Sequence, residues 1–175
     1  MSLWIVCLAR DVATAAHRGG KPRKYTGLPY ITHPREVAYL CTKHDLPDEV
    51  IAAAWLHDTL EDTELQLIDL VHQFPADVVA NVVYMTDAAT DGNRATRKAA
   101  ECARLATGTP DQQSLKLADL IDNTASIVEH DPKFAKTYLA EKRALLDALT
   151  DAKPSIRTEA ETVWAAAMDR LGLQR

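Results

Sequence analysis

The sequence is poor in cysteine, has no long apolar run, and carries no excess of positive charge. Cys7, Cys41 and Cys102 are odd in number and far apart, with no CxxC pair. That excludes a disulfide framework and a zinc ribbon and leaves reduced core thiols. The apolar stretch at residues 3–9 is far shorter than the ~20 residues a membrane span needs, and no basic segment precedes it as in a signal peptide. The expectation is a cytoplasmic protein with no membrane partner. Twenty Lys and Arg stand against 25 Asp and Glu, a formal charge of −5 with pI near 5.6. The broad basic face of a nucleic-acid module is missing, so no nucleic-acid partner is expected, but a small anion could still meet a local basic patch. No β-alternation, internal repeat, low-complexity tract or composition shift appears either. With 175 residues, 47% of them hydrophobic, the chain reads as one domain over 1–175, able to bury roughly two-thirds of its unfolded surface.

What is present is helical periodicity. Ile156, Ala160, Val163, Trp164, Ala167 and Leu171 step by three and four, as do Leu67, Leu70, Val71 and Phe74. The same reasoning predicts helices over 3–17, 34–44, 48–61, 76–87, 93–106, 112–129 and 133–150. Breaks are expected at Pro47, Pro75, Pro110, Pro132 and Pro154. The fold class is all-α, a bundle of about eight to nine helices. One segment departs from the pattern: residues 18–34 hold three of the six glycines, three of the eight prolines and the cations Arg18, Lys21, Arg23 and Lys24. This is a basic loop, either a nucleotide-facing element or a solvated turn.

Chemistry concentrates at His57-Asp58 and Glu61-Asp62, which follow the apolar run Ala52-Ala53-Ala54-Trp55-Leu56. On one continuous helix, ~100° per residue puts these four side chains within an arc of roughly 140°. Carboxylates so close repel unless a cation or proton neutralises them; the bland alternative is an exposed acidic helix end. His33, directly before Pro34, is either a ligand or, with Thr32, a candidate helix cap. In Lys116-Leu117-Ala118-Asp119, followed by Asn123, the three polar residues share one helix face, which is either functional or a solvated stripe. Taken together, His33, His57, Asp58 and Asp119 form two imidazoles and two carboxylates. That set neutralises a divalent cation and leaves positions open for water and substrate. Mixed N/O ligation suits Mn²⁺, Fe²⁺ or Zn²⁺.

These residues resemble the H…HD…D signature of the HD superfamily, helical metal-dependent phosphohydrolases. The surrounding text, Ala16-His17, Arg23-Lys24-Tyr25-Thr26-Gly27-Leu28-Pro29-Tyr30-Ile31-Thr32-His33-Pro34 and Leu56-His57-Asp58-Thr59-Leu60-Glu61-Asp62-Thr63, is similar to the hydrolase domain of RelA/SpoT-type proteins. The likeness is greatest to the stand-alone small alarmone hydrolases, over roughly residues 9–150. The resemblance implies hydrolysis of the 3′-pyrophosphate of ppGpp or pppGpp, usually with Mn²⁺, to GDP or GTP and pyrophosphate. It makes His33, His57, Asp58 and Asp119 metal ligands, and Glu61 and Asp62 the pair that positions or activates water. Arg23 and Lys24 become the basic pair near the nucleotide, and Asn123 lines the nucleoside pocket.

Charge supports those roles, because a site with Glu61 and Asp62 beside the metal stays net negative and a polyphosphate needs cations. Lys116 is a further phosphate contact on this reading, while Arg97 and Lys98 are either contacts or a solvated helix face. The chain departs from the family where Leu120 replaces the usual basic residue after KLAD and Asp122 precedes Asn123. Nothing resembles the synthetase domain of the long bifunctional enzymes, so degradation without synthesis is expected. The competing readings are an HD phosphatase for another phosphorylated nucleotide and a non-catalytic nucleotide sensor. Trp4, Trp55 and Trp164 read as core. His17 reads as a helix-end residue or one behind the ligands, Tyr138 as packing, and His44, His72 and His130 as surface.

Overall fold

Three successive alanines decide the packing of the N-terminal half. Ala52, Ala53 and Ala54 are wholly buried, and with no side chain beyond Cβ they let neighbouring helices approach from every side. In the computed structural model, which describes residues 3–87 and 91–174, they lie on α3 (Asp48–Leu56). Around it pack α1 (Leu3–Ala16), α2 (Thr32–Lys43) and α6 (Ala76–Met85). The short α4 (Thr59–Asp62) and α5 (Leu67–Gln73) complete this unit, Met1–Asp87. Pro47 precedes α3, and Asp48 and Glu49 fill its first turn, where the helix dipole favours acids.

The second compact unit, Ala88–Arg175, is built from α7 (Arg94–Leu105), α8 (Pro110–His130), α9 (Pro132–Ala148) and α10 (Pro154–Arg170). Its central helix is α8, which packs on α9 and α10 through the wholly buried Leu115, Leu117, Ala118 and Leu120. Thr109 and Gln112 form a reciprocal capping box around Pro110. Gln113, buried one turn further on, donates to the carbonyls of Ala106 and Gly108 and accepts from the Asp151 N–H. The Trp164 indole donates to the Leu139 carbonyl at 2.8 Å, tying α10 to α9.

The all-helical expectation is met: the described residues contain ten helices and no strand. None of those helices is long and apolar enough to cross a membrane. Each expected proline break falls at a helix start, with Pro47 and Pro75 just before α3 and α6 and Pro110, Pro132 and Pro154 opening α8, α9 and α10. The difference lies at 48–61, one helix by periodicity but two in the structure, divided at His57-Asp58. There, side chains claim carbonyls at the end of α3: the His57 ring takes that of Ala54, and Thr59 Oγ1 takes that of Leu56 at 2.7 Å.

Two expectations for individual residues need correction. Trp4 is 59% exposed rather than core, because the buried stripe of α1 runs through Ile5, Ala9 and Ala13 and leaves Trp4 to one side. His44 is buried, not at the surface. The chain turns back at Asp45 (φ 50°) and the Leu46 N–H returns to the Cys41 carbonyl, and Leu46 is buried beyond the turn. Of the cysteines, Cys41 is buried and Cys7 and Cys102 are half-buried.

The alanine packing makes the first prediction. Ala53→Leu overfills the contact around α3 and lowers the unfolding free energy by about 1–3 kcal/mol, read from the urea midpoint. A change below about 0.5 kcal/mol would mean that α3 has room to spare.

Candidate metal centre

The break after α3 orients His57. Its Nδ1 lies 2.8 Å from the Ala54 carbonyl oxygen, which only accepts, so Nδ1 carries the proton. A neutral imidazole with that tautomer presents Nε2 as a bare lone pair. His33 enters from the first turn of α2. The helix is preceded by Ile31 with no side-chain cap, and Thr32 Oγ1 turns back to the Pro29 carbonyl. Neither Thr32 nor His33 serves as the cap, and His33 points inward, 4% exposed.

The two Nε2 atoms are 3.2 Å apart, and Asp58 Oδ2 lies 3.2 Å from His57 Nε2 and 3.6 Å from His33 Nε2. Donor atoms about 2.1 Å from one ion at angles of roughly 90–120° stand about 3.0–3.6 Å apart. The three side chains therefore meet a metal's requirement in donor type and in spacing, and they form a cluster of metal-ligating groups.

Around these donors lie two rings. The Tyr30 hydroxyl donates to Asp58 Oδ2 at 2.7 Å. Burial first, and then the Asp58 and Asp62 carboxylates, push its pKa far up, so it stays a donor. The His17 ring stacks on Tyr30 with centroids 4.9 Å apart and 29° between planes. Its Nε2 is buried and without a hydrogen-bond partner, at a cost of about 1–3 kcal/mol. Burial lowers the His17 pKa against the opposite pull of Asp58 and Asp62, so the ring is mostly neutral at pH 7. Sequence reading had left His17 at a helix end or behind the ligands and had given Tyr30 no role. The signal for Tyr30 was its position three residues before His33.

Glu61 and Asp62 stand on the exposed turn α4. Asp62 bears on the Tyr30 hydroxyl, whereas Glu61 Oε1 accepts the Asp87 N–H at 2.6 Å. In the basic loop the Arg23 N–H reaches the Leu28 carbonyl and the Gly27 N–H the Arg23 carbonyl. This closure needs the positive φ of Gly27, 69°. Arg23 is half-buried. Lys24 Nζ sits 4.7 Å over the Tyr25 ring and donates to its hydroxyl.

In the second unit Lys116, Asp119 and Asn123 come together on α8. Lys116 Nζ lies 3.0 Å from Asp119 Oδ2, and Asn123 Nδ2 donates to Asp119 Oδ1 at 2.6 Å. Lys116 and Asp119 are 8% and 7% exposed, so this stripe is not a solvated helix face. Lys142 of α9 was overlooked because nothing in the local sequence marks it. Burial and then Lys116 lower its pKa, against Asp119 and Glu101, and its Nζ lies 5.2 Å from the Tyr138 ring centroid. Arg97 turns to the Gly92 carbonyl and Lys98 pairs with Glu101.

The chain matches the HD domain family over residues 9–174. It is 35% identical over 117 residues to the human guanosine-3′,5′-bis(diphosphate) 3′-pyrophosphohydrolase MESH1, covering 66% of this chain and 65% of that protein. It is 30% identical over 129 residues to an Aquifex aeolicus protein of the same activity name, covering 69% of this chain and 18% of that one. The chain thus spans less than two-thirds of the length of either relative. Among solved structures it resembles a metazoan ortholog of SpoT that hydrolyses ppGpp, with a TM-score of 0.82 and 21% identity, covering 93% and 94% of the two chains. At that identity the likeness shows the fold.

The buried pair on α8 carries a test of its own. Lys116→Met leaves Asp119 buried without its cation and lowers the unfolding free energy by on the order of 3 kcal/mol, measured by urea denaturation with metal removed. A loss below about 1 kcal/mol would mark the pair as no stronger than a surface contact.

Proposed function

The chain belongs to the HD domain family, and from that premise we propose that it is a metal-dependent phosphohydrolase removing the 3′-pyrophosphate of ppGpp or pppGpp, with GDP or GTP and pyrophosphate as products. The observation that carries this reading is the cluster of the buried His33 and His57 with the half-buried Asp58, whose donor atoms lie 3.2–3.6 Å apart. Relatives named as guanosine-3′,5′-bis(diphosphate) 3′-pyrophosphohydrolases support the substrate. The match of one HD domain model over residues 9–174 supports reading residues 1–175 as a single domain. The acidic balance of the chain favours a small anionic substrate over a nucleic acid. The cytoplasm, where nucleotides and reduced thiols coexist, is the compartment this reading implies.

His33, His57 and Asp58 would hold the ion, with Asp119 as the fourth donor of the H…HD…D pattern. Two imidazoles favour Mn²⁺ over Mg²⁺, which prefers an oxygen-rich shell. Such an ion, when bound, polarises a phosphoryl oxygen and makes water a stronger nucleophile near neutral pH. Glu61 and Asp62 orient the attacking water and take its proton, Glu61 through a carboxylate steadied by the Asp87 N–H. The water oxygen bonds to the 3′-phosphorus as the bond to the 3′-oxygen breaks, and the leaving 3′-oxygen takes up a proton to become the hydroxyl of GDP or GTP. Arg23 and Lys24 offset the charge of the incoming pyrophosphate, Lys116 contacts phosphate, and Asn123 lines the nucleoside pocket.

The deciding experiment incubates the purified protein with a nucleotide panel including ppGpp, with and without Mn²⁺, and identifies the products. GDP with pyrophosphate is the expected result. Orthophosphate from other nucleotides would make the protein a broader HD phosphatase, and binding without turnover a sensor. Chelation brings turnover to background, and Mn²⁺ restores it better than Mg²⁺; full activity after chelation would overturn the metal assignment.

Substitution separates catalysis from metal retention. Glu61→Gln and Asp62→Asn keep shape and lose the basic oxygen, lowering kcat by roughly 10²–10⁴-fold. Bound metal stays at wild-type content and nucleotide affinity is unchanged or higher, since a repelling charge is gone. Turnover within a few-fold of wild type would assign the pair to the helix end alone.

A further inference from the structure

Tyr30 is not a ligand, yet it touches two of the three metal-ligating residues in the first unit by separate contacts. Its backbone carbonyl accepts the His33 N–H at 2.9 Å. Its hydroxyl donates to Asp58 Oδ2 at 2.7 Å. Its ring meets the His33 ring edge-on, with centroids 6.1 Å apart and planes at 81°. A face of that ring is covered by His17, stacked at 4.9 Å.

We infer that Tyr30 is the positioning residue of this centre, aiming the Asp58 carboxylate at the two imidazoles, and that His17 holds the Tyr30 ring in the place from which it does so. Asp58 stands at the break between α3 and α4 rather than inside a regular helix, and the Tyr30 hydroxyl reaches its carboxylate from a segment 28 residues earlier. The oxygen that receives the Tyr30 proton, Oδ2, is also the one nearest both Nε2 atoms. One lone pair taken by the phenol leaves the other for the cation, and the carboxylate is held in the orientation that coordination needs. A phenol is suited to this work because, unlike a histidine or a carboxyl group, it remains a donor throughout the neutral pH range. The ring itself is fixed by its stack against His17, so the direction of the hydroxyl is set by packing instead of by a flexible side chain.

This inference rests on the metal reading above, and the experiment tells their failures apart. Mn²⁺ affinity is measured by competition with a chromogenic chelator in wild type, Tyr30→Phe, His17→Phe and His17→Ala, with the melting temperature of each metal-free protein alongside. Tyr30→Phe keeps the stacked ring and loses the proton: affinity falls about 10- to 100-fold, while the metal-free melting temperature stays within about 2 °C. His17→Phe keeps a ring to stack and holds affinity within about threefold of wild type. His17→Ala loses the stack and falls towards the Tyr30→Phe value. If wild type binds no Mn²⁺, the metal centre is wrong and this inference goes with it. If wild type binds and Tyr30→Phe binds equally well, the positioning role alone is overturned. An affinity loss that merely tracks a falling metal-free melting temperature overturns it too, because Tyr30 would then be core packing.

Discussion

A single hydrogen bond, from His57 Nδ1 to the Ala54 carbonyl three residues earlier, ties the chemistry of the first unit to its packing. The carbonyl belongs to the most deeply buried helix of that unit, and the ring belongs to the residue just past its end. Binding there spends the Nδ1 proton on the backbone and leaves Nε2 bare, facing His33 and Asp58. The same contact accompanies the division of what periodicity reads as one helix into α3 and α4. Asp58 is thereby set at a bend, with Glu61 and Asp62 on a separate exposed turn.

The second unit holds its carboxylate differently. Asp119 is gripped at both oxygens by side chains of its own helix, Lys116 one turn before and Asn123 one turn after. A carboxylate buried to 7% exposure is tolerable only with such partners, since an uncompensated charge in that setting is strongly destabilising. Lys116 and Asn123 therefore have a structural reason to be present apart from any contact with substrate.

The helices and their starts were legible in the sequence because they follow from periodicity and from where proline is allowed. The cluster of His33, His57 and Asp58 was legible because an imidazole and a carboxylate at the end of a buried apolar run, matched by a second imidazole before Pro34, have few uses other than a cation. The division of 48–61 was not, since it depends on two carbonyls being taken by side chains, His57 and Thr59, that a rotation of 100° per residue does not represent. Nor was Tyr30, whose role comes from reaching across 28 residues to Asp58, or Lys142, whose surroundings are assembled from three helices. Trp4 and His44 were misread for the same reason, as a residue's side of a helix says little where the helix begins or where the chain reverses.

The prolines that start α3, α6, α8, α9 and α10 act on more than the folded protein. At these positions a missing N–H costs nothing, because neither the residue just before a helix nor the helix's first turn has an intrahelical acceptor for it. What each ring does is narrow the denatured ensemble, fixing φ near the value the helix start requires and removing states the chain would otherwise have to give up. Such a residue contributes about 0.4–1 kcal/mol without a single tertiary contact. Part of the stability of both units is therefore invisible in their packing: it resides in the conformations that the disordered polypeptide is denied.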